Sequence, residues 1–261
     1  MIEAPDHAHE HAHLIGAVRG AGAVALSFFQ DEPKAWEKSP GQWVSDADLA
    51  ANDFLKHALC GRYPDYGWLS EESEDDSSRL ATRRVWVVDP IDGTNAFLAG
   101  RAEFAISAAL VMDGAPVAAA LFNPATDEMF EALAGGGARL NGEPIRVSER
   151  ASVEGASLVS SRSEQDCHEW RNNLSGMAVT AISSIAYKLA LVAAGQYDAC
   201  ITLWPKSEWD VAAAALLLSE AGGRMTDARG AGLIFNKPDT EFPAVVAAGP
   251  SLHALLIEKL T

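Results

Sequence analysis

The order of apolar segments predicts an α+β protein whose helices and strands occupy separate layers. Three observations carry this. Helical spacing dominates the first 60 residues, hairpin-linked strands fill the middle, and strongly apolar helical segments sit among short strands in the last third. These segments do not alternate as strand–helix–strand units. With 261 residues and 48% hydrophobic content, the chain can bury one large core or two closely packed halves. Residues 1–150 read as an N-terminal α+β half and residues 151–261 as a C-terminal half. No repeat or low-complexity linker divides them, so they are expected to pack as one unit.

Leu14, Ala17, Val18, Ala21, Val24, Ala25 and Phe28 follow helical spacing and predict a first helix to about residue 30. His7, His9, His11 and His13 precede or enter it; the plainer reading is a loose start leading into the helix, not a chelate. A flexible, proline-containing stretch is expected from Asp31 to Gly41. Ser45 and Asp48 then open an amphipathic helix carrying Leu49, Phe54, Leu55, Ala58 and Leu59. Gly67 to Leu69 reads as a strand, followed by an acidic loop to about Thr82. Val85 to Val88 has the β-branched and aromatic content of a buried strand. Phe104 to Met112 and Pro116 to Phe122 form two strands joined at Asp113-Gly114. Glu128 to Ala132 and Arg139 to Val147, with its Asn141-Gly142 turn, continue an antiparallel meander. In the second half, 156–160, 178–183 and 197–203 read as strands. Helices are expected over 184–194, over 209–221 before Gly222-Gly223, and over 252–260.

Net charge is −16, from 36 acidic and 20 basic residues, which disfavours nucleic acid and anionic membranes as partners. The longest uninterrupted apolar run, Val211 to Leu218, falls far short of the roughly 20 residues of a membrane span. The start of the chain lacks the pattern of a secretory signal, and Cys60, Cys167 and Cys200 follow no paired spacing. Both facts suit a cytoplasmic protein with free thiols.

The strongest local signal is Asp89-Pro90-Ile91-Asp92-Gly93-Thr94, directly after the buried strand. It places two carboxylates three positions apart on a stiff turn at the edge of a core. Carboxylates this close repel unless a proton or cation lies between them, and hard cations such as Mg²⁺ favour oxygen ligands. Proline donates no N–H, so the strand is expected to end there. The plain alternative is an ordinary Asp/Gly turn. A haloacid dehalogenase-type turn spaces its aspartates two apart, and the spacing of three argues against it. Asp48, Glu71, Glu72 and Asp210 also stand at the ends of apolar elements. Asp48 and Asp210 occupy the fourth position of Ser-x-x-Asp, where a carboxylate can simply cap a helix, and the two glutamates can be solvated loop charges. Asp210, however, is flanked by residues that should be buried, so its charge needs a partner.

Leu69-Ser70-Glu71-Glu72-Ser73, Trp86 to Thr94, and Trp209-Asp210-Val211-Ala212-Ala213 with Glu220 to Gly223 together resemble the signatures of the inositol monophosphatase superfamily, in order and in spacing. The resemblance implies the layered α-β-α-β-α sandwich of the inositol monophosphatase and fructose-1,6-bisphosphatase type. It also implies two or three Mg²⁺ per site, inhibition by Li⁺ and a homodimer. Glu71, Asp89, the Ile91 carbonyl, Asp92 and Asp210 match metal ligands. Thr94 and Asp48, with Glu71, match the catalytic groups that activate water, and the N–H groups of Gly93 and Thr94, beside Asn95, match the phosphate cradle. The implied reaction is direct hydrolysis of a phosphomonoester in a small metabolite, without a phosphoenzyme.

The branch is less plain. Ser70 and Asn95-Ala96 depart from the inositol-specific pattern, and Leu203 to Glu208 lacks the glutamate that grips inositol hydroxyls. Lys206-Ser207-Glu208-Trp209-Asp210, and Lys188 in its helix, look more like the branch that removes the 3′-phosphate of 3′-phosphoadenosine 5′-phosphate. A second phosphate needs a cation, and Lys188 or Lys206 could supply it unless both are solvated surface charges. Trp204 reads as a core aromatic rather than a base-stacking platform. The alternatives are an inositol-1-monophosphatase and a regulatory binding protein on the same fold.

Overall fold

The structure is a computed structural model describing residues 7–31, 33–165 (the Gln165 side chain excepted) and 175–260. Its frame is a seven-stranded sheet. β3 (Gly67–Ser70), β4 (Arg84–Asp92), β5 (Ala105–Met112), β6 (Ala115–Asn123), β7 (Glu128–Leu133), β8 (Gly137–Leu140) and β9 (Glu143–Pro144) lie side by side in chain order. β3 and β4 run parallel and every later pair antiparallel, as hairpin-linked strands must. Strand residues alternate faces, so Trp86, Val88, Ile106, Ala108 and Leu110 point one way and Val85, Val87, Ala105, Ala109 and Val111 the other.

The first face is covered by α1 (Ala8–Leu26) and α2 (Asp46–Arg62), whose Leu14, Val18, Leu55 and Leu59 are fully buried against it. The second face packs on α5 (Ile185–Ala193) and α6 (Glu208–Glu220). Beneath those helices lies a five-stranded sheet in the order β11 (Ala178–Ala181), β10 (Ser157–Ser160), β12 (Ala199–Thr202), β16 (Val245–Ala248), β14 (Arg224–Thr226). Sheets on both sides explain why all nine residues of α5 are buried. Each fully buried leucine there contributes about 1.5–3 kcal/mol of transfer free energy. α4 (Arg162–Gln165) is a single turn after β10, and α7 (Pro250–Leu260) closes the outer face with Leu252 and Leu256. The layers therefore run α-β-α-β-α.

Several expectations need correction. The stretch expected to be flexible contains a hairpin, β1 (Ala35–Ser39) and β2 (Gln42–Ser45), turning at Gly41 with φ +80°. β4 does not end at Asp-Pro: the ladder breaks over Asp89–Asp92 and resumes with Asp92 opposite Ala105, so Pro90 occupies the irregular stretch where no ladder donor is needed. The segment over 139–147 does continue the meander, with β8 and β9 antiparallel across the Asn141-Gly142 turn. β14, β15 (Glu241–Phe242) and β16 lie where no element was expected; β15 pairs with β13 (Lys206–Ser207). Cys167 lies outside the described residues, and Cys60 and Cys200 are free.

Candidate active site

The break in β4 turns Asp89 and Asp92 inward at the edge of the sheet, and Gly93 follows with φ +97°. A Cβ at Gly93 would lie 2.7 Å from the Glu103 carbonyl oxygen, so only glycine fits this approach. α3 (Thr94–Leu98) begins at once, and its first N–H groups lack intrahelical acceptors. The Thr94 hydroxyl lies 2.9 Å from Asp48 Oδ1 and 3.1 Å from the Ile91 carbonyl. Asp48 is positioned from below by its own helix start: Ser45 N–H and Oγ donate to its Oδ2 at 2.8 and 2.5 Å. The capping role and the site role thus use different oxygens of one carboxylate.

Glu71, Asp89 and Asp210 converge, each offering an oxygen within 4.8 Å of the others'. Among the described residues this is the cluster with metal-ligand spacing. Glu71 arrives on the loop after β3, which is tied down by Ser70 Oγ donating to Asn52 Oδ1 at 2.7 Å. Asp210 stands in the first turn of α6 and accepts the Ser207 N–H at 2.8 Å. Asp89 Oδ1 accepts the Ile91 N–H at 3.1 Å, while its Oδ2 is buried with no hydrogen-bond partner. A buried, partnerless carboxylate oxygen facing two further carboxylates is what a hard divalent cation would satisfy, so the residues fit such an ion.

The titration of the cluster follows from its dryness. Burial, and then Glu71, Asp92, Asp210 and Asp48, push Asp89 well above the ordinary carboxylate range. Burial followed by the charges of Asp92 and Glu71 lifts Asp210 to about 8. Asp92 rises to about 6 through burial, against the pull of the Ser184 hydroxyl and the Ala186 N–H. Glu72 rises to about 7, chiefly by burial. Burial also raises Asp48. So many carboxylates cannot all be ionised without a cation among them.

Asp92 sits beside this trio rather than in it. Its Oδ2 accepts from Ser184 Oγ and, at 2.5 Å, from the Ala186 N–H, both at the start of α5. Gly93, Thr94 and Asn95 line the same cavity of about 420 Å³ as Glu71, Asp92 and Asp210. Lys206 lines a neighbouring cavity with Glu71 and Asp210. Lys188 and Glu208 do not fit the roles read for them. Lys188 is only 1% exposed, because its helix lies between two sheets. Glu208 is fully buried and accepts the N–H groups of Asn236 and Lys237 at 2.6 and 2.9 Å, anchoring a loop instead of facing the cavity. Trp204, expected in the core, is 45% exposed. The histidines fan around α1: His7 is buried, His9 is exposed and His13 Nε2 lies 2.9 Å from the Ala58 carbonyl.

Other residues at the site were not singled out from sequence. Lys38, on β1, donates to Glu71 Oε1 at 3.0 Å and Glu72 Oε1 at 2.6 Å. Trp43, Arg101, Ser161, Arg162 and Ser183 line the same cavity as the carboxylates. The signal for Arg101 was its position just past the α3 turn. Lys38 and Arg162 had no local signal.

Residues 6–261 match the inositol monophosphatase family. The chain belongs to that family. It is similar to an inositol-1-monophosphatase of Rhizobium meliloti, 40% identical over 205 residues that cover 75% of this chain and 76% of the relative. It is also similar to a Nus factor SuhB of Xylella fastidiosa, 36% identical over 84% of this chain and 82% of that one. In structure it resembles the extragenic suppressor protein suhB of Bartonella henselae. The TM-score is 0.85 at 30% identity, covering 97% of this chain and 98% of the other. The chain is thus a phosphatase of this family by membership, with the family's fold.

Proposed function

We propose that the protein is a Mg²⁺-dependent phosphomonoesterase acting on a small phosphorylated metabolite. The observation that carries this is Asp89 Oδ2, buried without a partner and set against Glu71 and Asp210. Glu71, Asp89, the Ile91 carbonyl, Asp92 and Asp210 would hold the ions. When bound, Mg²⁺ supplies Lewis acidity and lowers the pKa of an attacking water. The chain's own groups orient that water. Thr94 donates to Asp48, leaving a lone pair on Oγ1 to accept a proton from the water. Asp48, raised by burial, is suited to share that proton through Thr94. The N–H groups of Gly93 and Thr94, with Asn95, would hold the phosphate oxygens.

For the substrate we favour the 3′-phosphate of 3′-phosphoadenosine 5′-phosphate, on the strength of Lys206 to Asp210. Myo-inositol 1-phosphate is the second reading, favoured by the 40% identical relative that bears an inositol-1-monophosphatase name. A regulatory binding role is the third, motivated by the SuhB-named relatives. We also propose a homodimer. Phosphate release from both compounds in Mg²⁺, with and without Li⁺, tests the reading. Turnover of the nucleotide with loss in Li⁺, and a drop of orders of magnitude in Asp92→Asn, is the expected result. Release from neither compound refutes the enzyme reading and leaves the binding role.

A further inference from the structure

Two arginines, Arg101 and Arg162, line the cavity that holds the carboxylates, although the chain as a whole carries −16. Arg162 forms a bidentate pair with Glu103, at 2.8 and 2.9 Å, and donates to Ser183 Oγ at 3.0 Å. Arg101 donates to the same Ser183 oxygen at 3.3 Å and approaches Glu103 at 3.9 Å. Two guanidinium groups therefore share one carboxylate, and a net positive charge remains. Both side chains are about half exposed, 42% for Arg101 and 50% for Arg162. Each guanidinium has five donors in a rigid fork, and Glu103 and Ser183 engage three of those on Arg162.

Glu103 is held as the anion that aims this pair. Arg162 donates to it twice, and Ser183 Oγ and the Ser183 N–H each donate at 3.0 Å. The pair also adjoins the reacting end of the cavity. Ser183 bonds the arginines while the next residue, Ser184, bonds Asp92, and the Glu103 backbone lies against Gly93. Of the two lysines with a second-phosphate role in view, Lys188 is buried, whereas Lys206 lines the neighbouring cavity with Glu71 and Asp210.

We infer that Arg101 and Arg162 form a clamp for a second anionic group carried by the leaving portion of the substrate. The cavity then selects phosphomonoesters with a further phosphate or similar dianion a few ångströms from the scissile one. This rests on the phosphatase reading, and the experiment separates the two. kcat/KM is measured in Mg²⁺ for adenosine 3′,5′-bisphosphate and for adenosine 3′-monophosphate, in the parent protein and in Arg101→Ala, Arg162→Ala and Arg162→Lys. The clamp requires the alanine variants to lose roughly 10- to 100-fold more on the bisphosphate than on the monophosphate. Arg162→Lys, a point charge without the fork, should recover part of that difference. Equal losses on both esters, or an unchanged ratio, overturn the clamp while leaving the phosphatase reading intact. If the parent protein hydrolyses neither ester, the nucleotide reading fails, myo-inositol 1-phosphate remains to test the phosphatase reading, and calorimetric binding of adenosine 3′,5′-bisphosphate in Ca²⁺ decides the clamp. Binding weakened at least 10-fold in Arg162→Ala supports it; equal binding, or none to the parent, overturns it.

Discussion

Asp210→Asn separates the electrostatic cost of the carboxylate cluster from its use. Asparagine keeps an oxygen for the Ser207 N–H and removes only the charge. In the cation-free protein Asp210 is raised from 3.8 to about 8, so the folded state holds a proton that the unfolded state has released. A carboxyl raised in this way favours folding at low pH, and its benefit is lost as pH climbs from about 4 to 8. At pH 7.5, ~1.4 kcal/mol per pH unit gives a cost of about 5 kcal/mol for keeping this group folded. Some of that cost passes to Asp89 and Asp92, so relief of a few kcal/mol is expected. For a chain of this size that is roughly 5–10 °C in Tm. Thermal unfolding in EDTA and in Mg²⁺, at pH 5 and 7.5, is the assay. In EDTA the variant should be the more stable at pH 7.5 and much closer to the parent at pH 5. Mg²⁺ should stabilise the parent more than the variant. A variant less stable than the parent in EDTA at pH 7.5, or one stabilised by Mg²⁺ as much as the parent, would refute the reasoning.

Ser184→Ala removes the hydroxyl that fixes Asp92 Oδ2 and should weaken Mg²⁺ activation roughly 10-fold, read from the Mg²⁺ dependence of kcat. Gly93→Ala forces a side chain to φ +97° and into the Glu103 carbonyl, so thermal unfolding should show a loss above about 1 kcal/mol. Glu208→Ala strips the acceptor from two half-buried N–H groups and leaves a cavity at a fully buried side chain, so it should cost about 2–4 kcal/mol, with KM nearly unchanged. A large rise in KM with normal stability would restore Glu208 to substrate contact.

Much of the fold was legible because its strands announce themselves locally. The Asp113-Gly114 hairpin adopts positive φ at both turn residues, and the α2 start carries the capping pair that its Ser-x-x-Asp spacing implies. β16 carries no such signal although it lies inside the second sheet, between β12 and β14, since Val245 to Ala248 is too short and uniform to declare a period. The β1–β2 hairpin was hidden by its prolines and mixed charge; apart from Val44 and Ser45 its residues lie at or near the surface, so no alternating apolar period marks it.

The carboxylates themselves were readable from the chain because each stands at an element end with its own local chemistry: a bulged strand for Asp89 and Asp92, a helix start for Asp48 and Asp210. Local sequence determines such caps and turns, since the atoms involved lie within a few residues. Which cations face the cavity was decided only in three dimensions. Lys188 sits on a helix enclosed by two sheets and is shut in, while Arg101 and Arg162, 61 positions apart, meet at Ser183. Burial of a charge depends on what packs against its element, and no spacing along the chain records that.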